Sequence, residues 1–220
     1  MSQTDQTSGP PGPQRRTRGK GRVEALSDGV FAVAITLLAL DLAVPANGHS
    51  ERHLLDAVGE QWPAYLGYVV SFATIGALWL GHNAITDYLQ RVNVTFLRLN
   101  LLVLLFASFL PFPTRLLSEY ISRDNAERVA ATGYGLTLLA ATAVLSLLWR
   151  YALHAHLVRP DASDEEIKLL TKRLSPSLVA YGVLIVLGLF LPVVAVVGYF
   201  IIALYLLIPV HSPRRRHDHN

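Results

Sequence analysis

The sequence predicts an all-α, polytopic integral membrane protein with six transmembrane helices and no soluble domain. Three observations carry this. Hydrophobic residues make up 52% of the 220 residues and charged ones only 16%, with mean hydropathy +0.37, outside the usual balance of a soluble domain. The apolar residues gather into six runs separated by polar segments. With six spans, fifteen of the nineteen Lys and Arg fall on the side of the termini and four on the other. The positive-inside rule then places both termini in the cytoplasm of a multi-pass cell-membrane protein. An odd number of spans destroys that split. The chain has no cysteine, which excludes a disulfide framework and thiolate chemistry.

Residues 1–21 read as a disordered basic cytoplasmic tail. They are rich in Gly, Pro, Ser, Thr and Gln and end in Arg15, Arg16, Arg18 and Lys20. A basic patch facing anionic lipid explains that cluster more simply than nucleic-acid binding. A cleaved signal is disfavoured, because the apolar run that follows is too long and carries Asp28 and Asp41 at its ends. Residues 22–210 form the six-helix domain, and residues 211–220 a second basic cytoplasmic tail.

The first span, Arg22 to Val44, is the centre of the reading. Val30 to Leu40 carries no charge, and about 20 residues cross the hydrocarbon core. Arg22, Glu24, Ser27 and Asp28 stand at its entrance. A charge at mid-membrane costs roughly 2.5–3.5 kcal/mol on insertion scales, so Asp28 needs a donor, with Arg22, His82, Asn83 and Asn100 as candidates. At about 100° per residue, Val33, Leu37 and Leu40 share one stripe. Ala25, Ala32 and Ala39 repeat on an adjoining face small enough for close helix approach. On periodicity alone this is also what a packed core helix looks like.

Five further spans follow: Trp62 to Gly81, Leu97 to Leu117 (running into Pro111 and Pro113), Val129 to Tyr151, Leu178 to Leu191, and Val193 to Val210. The last two are short and demand a tight hairpin at Pro192. Before them, Asp161 to Arg173 reads as a solvated linker helix. Ser163 and Glu166 there have the spacing of a capping box. All spans should be helices, because backbone facing lipid must satisfy its own hydrogen bonds.

The residues Arg22-x-x-x-Leu26-Ser27-Asp28-Gly29-Val30-Phe31-Ala32, Trp79-Leu80-Gly81-His82, Asn100-Leu101-Leu102 and Ser108 to Thr114 together resemble the transmembrane protein 175 family of potassium channels. Leu26 stands where that family has Phe. The resemblance implies a potassium-preferring cation channel that conducts passively through a central pore. It further implies that four copies assemble as a homotetramer in membrane lipid, with the first helix of each lining the pore. Potassium is the permeant ion; no cofactor, catalytic residue, resident metal or nucleic-acid partner is implied. Relative to Ser27-Asp28, the family's pore-facing positions fall on Val33, Leu37 and Leu40, with Val33 where Ile usually forms the narrowest point. The resemblance also implies a structural polar network of Arg22, Ser27, Asp28, Trp79 and His82 that holds the first helix.

Several motifs invite other readings. Thr132-Gly133-Tyr134-Gly135 looks like a carbonyl selectivity filter, but it lies inside a continuous apolar span rather than an extended loop. Its glycines better serve close helix contact. Ser27, Asp28 and His82 name the members of a triad. A nucleophile and its orienting carboxylate must flank the imidazole, however, and two adjacent residues do not. An ion-coupled transporter is the strongest alternative, although neither an internal repeat nor mid-membrane charge supports it; a plain structural membrane protein is the other alternative the residues leave open.

Overall fold

The computed structural model describes residues 14–40, 42, 56, 58–121 and 126–208. Among the described residues, the helices in chain order are α1 Gln14–Ala39, α2 Trp62–Asp87, α3 Val94–Phe109, α4 Pro111–Tyr120, α5 Ala126–His154, α6 Asp164–Gly188 and α7 Pro192–Leu207. No strand forms among the described residues. A single isolated bridge pairs Leu89 with Val158, where Arg159 N donates to Tyr88 O and Gln90 N to Leu157 O. This pins the α2–α3 turn to the α5–α6 turn.

Local chemistry sets the helix ends. Asn93 caps α3, its side chain accepting from Phe96 N at 2.9 Å while its Nδ2 donates to Tyr151 Oη. Pro111 and Pro192 each begin a helix, where a residue without an N–H costs nothing. Pro111 thereby breaks the third apolar run into α3 and α4. Ser163 and Glu166 close a reciprocal capping box on α6.

Among the described residues, four helical stretches are long and apolar enough to cross a membrane: α2, the run Val94–Tyr120 through α3 and α4, α5, and α6. α7 is apolar but has only 16 residues. α1 has 26 residues and a strongly basic first half.

Two boundaries differ from expectation. Residues 14–21 were expected in a disordered tail, yet they belong to α1. Arg, Lys and Gln are good helix formers, and Lys20 pairs with Glu24 one turn on, at 3.5 Å. Likewise the expected linker helix and the fifth span are one helix, α6, with Pro176 in its interior. Polar and apolar halves propagate the same backbone hydrogen bonds, so crossing a water–membrane boundary does not end a helix. Residues 1–13, Asp41 and residues 209–220, which include the second tail, lie outside the described residues.

α1 packs against α2 and α3; α5 packs against α3, α4 and α6; α7 lies against α2 and α6. The core buries Trp149, Tyr134, Tyr181, Tyr199, Phe31 and Phe96. Gly135 permits one of its closest approaches: a Cβ there would meet Tyr199 Oη at 2.1 Å and Ile185 Cγ1 at 2.9 Å. Gly133, two residues earlier, faces open space, so only one of the two glycines serves close contact. Both lie inside α5, and Thr132 to Gly135 is helical throughout.

Candidate pore helix and its polar anchor

α1 has two unlike faces. Val23, Ser27, Phe31, Ala34 and Leu38 are buried, at the three- and four-residue spacings of one helical edge. Phe31, Ala34 and Leu38 are each only 1% exposed. On the other side Val33, Leu37 and Leu40 are 56%, 41% and 77% exposed. Ala25, Ala32 and Ala39 are exposed as well. The small-residue seam is therefore left largely uncovered by its own subunit.

Polar side chains fix the buried face. His82 of α2, fully buried, donates from Nε2 to Asn100 Oδ1 of α3 at 2.6 Å. Asn100 Nδ2 in turn donates to Ser27 Oγ of α1 at 3.1 Å. One amide thus bridges three helices. Satisfying both ends of a buried amide matters, because an unmatched polar group costs about 1–3 kcal/mol. The Phe31 ring lies 5.7 Å from the imidazole, tilted 53°.

Asp28 has a different partner. Trp79 Nε1 donates to its Oδ1 at 2.8 Å. The donor is thus the indole of Trp79 rather than Arg22, His82, Asn83 or Asn100. The bond gives this exposed carboxylate at the entrance of the span a neutral donor from the neighbouring helix. Arg22 is exposed and makes no hydrogen bond or ion pair among the described residues. It lies about five helical turns before Leu40, on the same line as the exposed stripe.

The structure thus brings Ser27, Asp28, Trp79 and His82 onto touching helices and leaves Arg22 on the outer face. Asn100, central to the bridge, was only one of several candidate donors in the sequence. The contact pattern is not a catalytic relay: Ser27 answers to Asn100 and Asp28 to Trp79. A second buried cluster had no signal in the sequence. Ser71 Oγ lies 2.7 Å from Thr114 Oγ1 and 2.9 Å from Tyr134 Oη, tying α2 to α4 and α5 by hydroxyls alone.

An all-helical bundle with several membrane-length apolar helices, and a first helix apolar on both faces and anchored by buried polar bridges, defines a polytopic membrane protein. Residues 22–111 match the family model described as endosomal/lysosomal potassium channel TMEM175. A potassium channel of Streptomyces collinus is 47% identical over 141 residues, covering 64% of this chain and 68% of that protein. A potassium channel of Chamaesiphon minutus is 41% identical over 155 residues, 70% of this chain and 76% of that protein. The crystal structure of a lysosomal potassium-selective channel TMEM175 homologue from Chamaesiphon minutus superposes with a TM-score of 0.76 at 36% identity. It covers 85% of this chain and 95% of that one. The chain belongs to the TMEM175 family.

Proposed function

We propose that this protein is a potassium-preferring cation channel, conducting passively through a central pore lined by α1 from four copies of the chain. The observation that carries this reading is the exposed stripe of Val33, Leu37 and Leu40, opposite an edge buried to 1% exposure. A single helix cannot enclose a water path. A closed cyclic assembly can, and it gives the Ala25, Ala32 and Ala39 seam a neighbouring helix to pack on. The three apolar side chains then stack as rings. An apolar ring offers a cation no ligand to replace its hydration shell, so it passes weakly hydrated potassium more readily than sodium and gates by wetting. The Ser27–Asn100–His82 bridge and the Asp28–Trp79 bond fix the register of α1 against its own subunit, and hence the ring radius. Arg22 stands at the mouth of the stripe, placed to contact a neighbouring copy.

In this reading α1 and α7 join the four long apolar stretches as the first and sixth spans of the domain 22–210. Both tails then face the cytoplasm of a cell-membrane protein. Potassium is the permeant ion, and no cofactor takes part. The test is ion flux through the purified protein in liposomes. Passive potassium flux that exceeds sodium flux and resists saturation is expected; coupled counterflow would identify a transporter instead. Topology is checked with introduced cysteines. A Cys at Ser50 should label from outside and one at Ser163 only after permeabilisation; labelling of both from one side would remove the six-span arrangement.

A further inference from the structure

Away from the α1 stripe, α2, α5, α6 and α7 line a cavity of about 300 Å³. An apolar cavity of about 150 Å³ is enough to hold benzene, so this one admits a compact organic molecule. Its walls are mostly aliphatic. Ala77 and Leu78 of α2, Leu145 of α5 and Leu174 of α6 line it, and all four are buried. At Gly81 the wall is tight, since an added Cβ would stand 3.1 Å from Leu145 Cδ2. Exposed Leu80 and Leu169 line the cavity as well, so it reaches the protein surface.

Two hydroxyls in this wall lack partners. Thr142 of α5 and Tyr181 of α6 are 3% and 1% exposed, and both line the cavity. Neither side chain makes a hydrogen bond among the described residues. Nearby hydroxyls are matched: Ser71 pairs with Thr114 and Tyr134, and Thr74, also in the wall, donates to Val70 O. The hydroxyls of Thr132, Ser146 and Tyr199 are unbonded too, but they are sealed on every side. Those of Thr142 and Tyr181 are not sealed, so their open side is the cavity. The Tyr181 ring packs on Tyr199 at 6.1 Å, tilted 40°, which fixes where its hydroxyl points. The charged groups of the lining offer an ion little. Glu166 accepts from Ser163 N in the capping box. Arg173 Nη2 donates to the carbonyls of Tyr205, Leu206 and Ile208 at the end of α7. Asp87 is exposed at the last residue of α2. Arg173 keeps its positive charge and shares the lining with two carboxylates, so neither sign is unopposed.

We propose that this cavity is a binding site for a compact, uncharged lipophile with a single hydroxyl, of the phenol class, taken up from the surrounding bilayer. Its hydrocarbon part lies against the aliphatic walls, and its hydroxyl bonds with Thr142 Oγ1 and Tyr181 Oη. Each of those groups both donates and accepts, so one ligand hydroxyl can serve the two together. An ionised ligand is disfavoured, because a buried charge needs a partner of its own. Water could match the two hydroxyls but would leave the aliphatic walls wet, so a molecule that covers both displaces it with a gain in affinity. The site is separate from the α1 stripe and does not depend on the channel reading.

The probe is tritiated ortho-isopropylphenol, bound at equilibrium to the full-length protein in phosphatidylcholine nanodiscs, with empty nanodiscs as the partition blank. Saturable binding is expected. Isopropylbenzene, which lacks the hydroxyl, should compete more weakly. The double variant Thr142→Val with Tyr181→Phe removes both wall hydroxyls at nearly constant volume. It should weaken the phenol about tenfold and leave isopropylbenzene unchanged. Ala77→Leu adds bulk to the wall and should weaken both compounds about tenfold. Isopropylbenzoate and isopropylbenzylammonium, an anion and a cation of similar size, should not compete. Binding no greater than the blank would mean that the cavity holds water or lipid only, and would overturn the assignment. So would an equal loss of phenol and isopropylbenzene in the double variant, undiminished binding to Ala77→Leu, or competition by either ion as strong as the phenol's own. If Ala77→Leu does not yield folded protein, the hydroxyl variant and the charged competitors decide.

Discussion

α1 and α6 each show an apolar face that their own subunit leaves uncovered, and the two faces are built differently. On α6 the exposed residues are Val179, Val183 and Val186, at 70%, 61% and 60%, with Gly182 opening on empty space. Branched aliphatic side chains stand alone there, as lipid tails require. On α1 the stripe of Val33, Leu37 and Leu40 begins from Arg22 and runs beside an alanine seam, and the Asp28–Trp79 bond lies at the far edge of that seam. Exposure and hydropathy alone do not distinguish the two. The neighbours of the stripe do, because charge and small side chains beside an apolar row have no use against lipid and considerable use against another protein surface.

The comparison is open to direct attack. The largest effect should come from a polar side chain at matched positions. Leu37→Asn should raise potassium leak about tenfold, equivalent to lowering a barrier by about 1.4 kcal/mol, and reduce preference over sodium. Val183→Asn should leave conduction unchanged at equal protein density. Equal outcomes would mean that neither face lines a pore. Ala34 is not a suitable control, since it is buried at 1% exposure and an Asn there disrupts packing instead.

Assembly gives the next contrast. With no native cysteine, Ala32→Cys should form disulfide-linked dimers of the chain on mild oxidation, and Val183→Cys should stay monomeric on a denaturing gel. Reversal of that pattern would put α6 at the interface. A smaller effect should come from the anchor of α1. In a double-mutant cycle on thermal stability, Asp28→Asn and Trp79→Phe should couple by about 1.5 kcal/mol, the low end for a charged hydrogen bond because both groups are partly exposed. Additive losses would show that the indole is not the working partner. The smallest concerns α6 alone. Ser163→Ala should cost about 1 kcal/mol of stability through the lost cap and leave ion selectivity untouched; a changed selectivity would tie the α6 start to the conduction path.

The parts of this molecule visible in the sequence are those written in composition or short spacing. Six apolar runs, the capping box of Ser163 and Glu166, and the shared edge of Val33, Leu37 and Leu40 all depend on residues a few positions apart, whereas the third run was expected to continue through Pro111, where the helix is in fact divided. The long-range pairings were less legible. Trp79 is 51 positions from Asp28, and an indole at a helix end is common enough to carry no message by itself. Asn100 bridges Ser27 and His82 only because three helices converge on it. The continuity of α6 was hidden for a different reason. Hydropathy records where a helix meets lipid, not where its hydrogen bonds stop, so a polar first half followed by an apolar second half was divided in two. The Ser71–Thr114–Tyr134 cluster joins hydroxyls that are each unremarkable in an apolar helix.

The bond from Arg173 to the end of α7 has a consequence for biogenesis. The last carbonyls of a helix have no partner within it and carry partial negative charge. In α7 the guanidinium of the preceding helix satisfies those of Tyr205 and Leu206, together with that of Ile208 just beyond. The final helix is therefore incomplete by itself, and Arg173 lacks its acceptors until α7 has been made. The two segments should leave the insertion machinery as a pair.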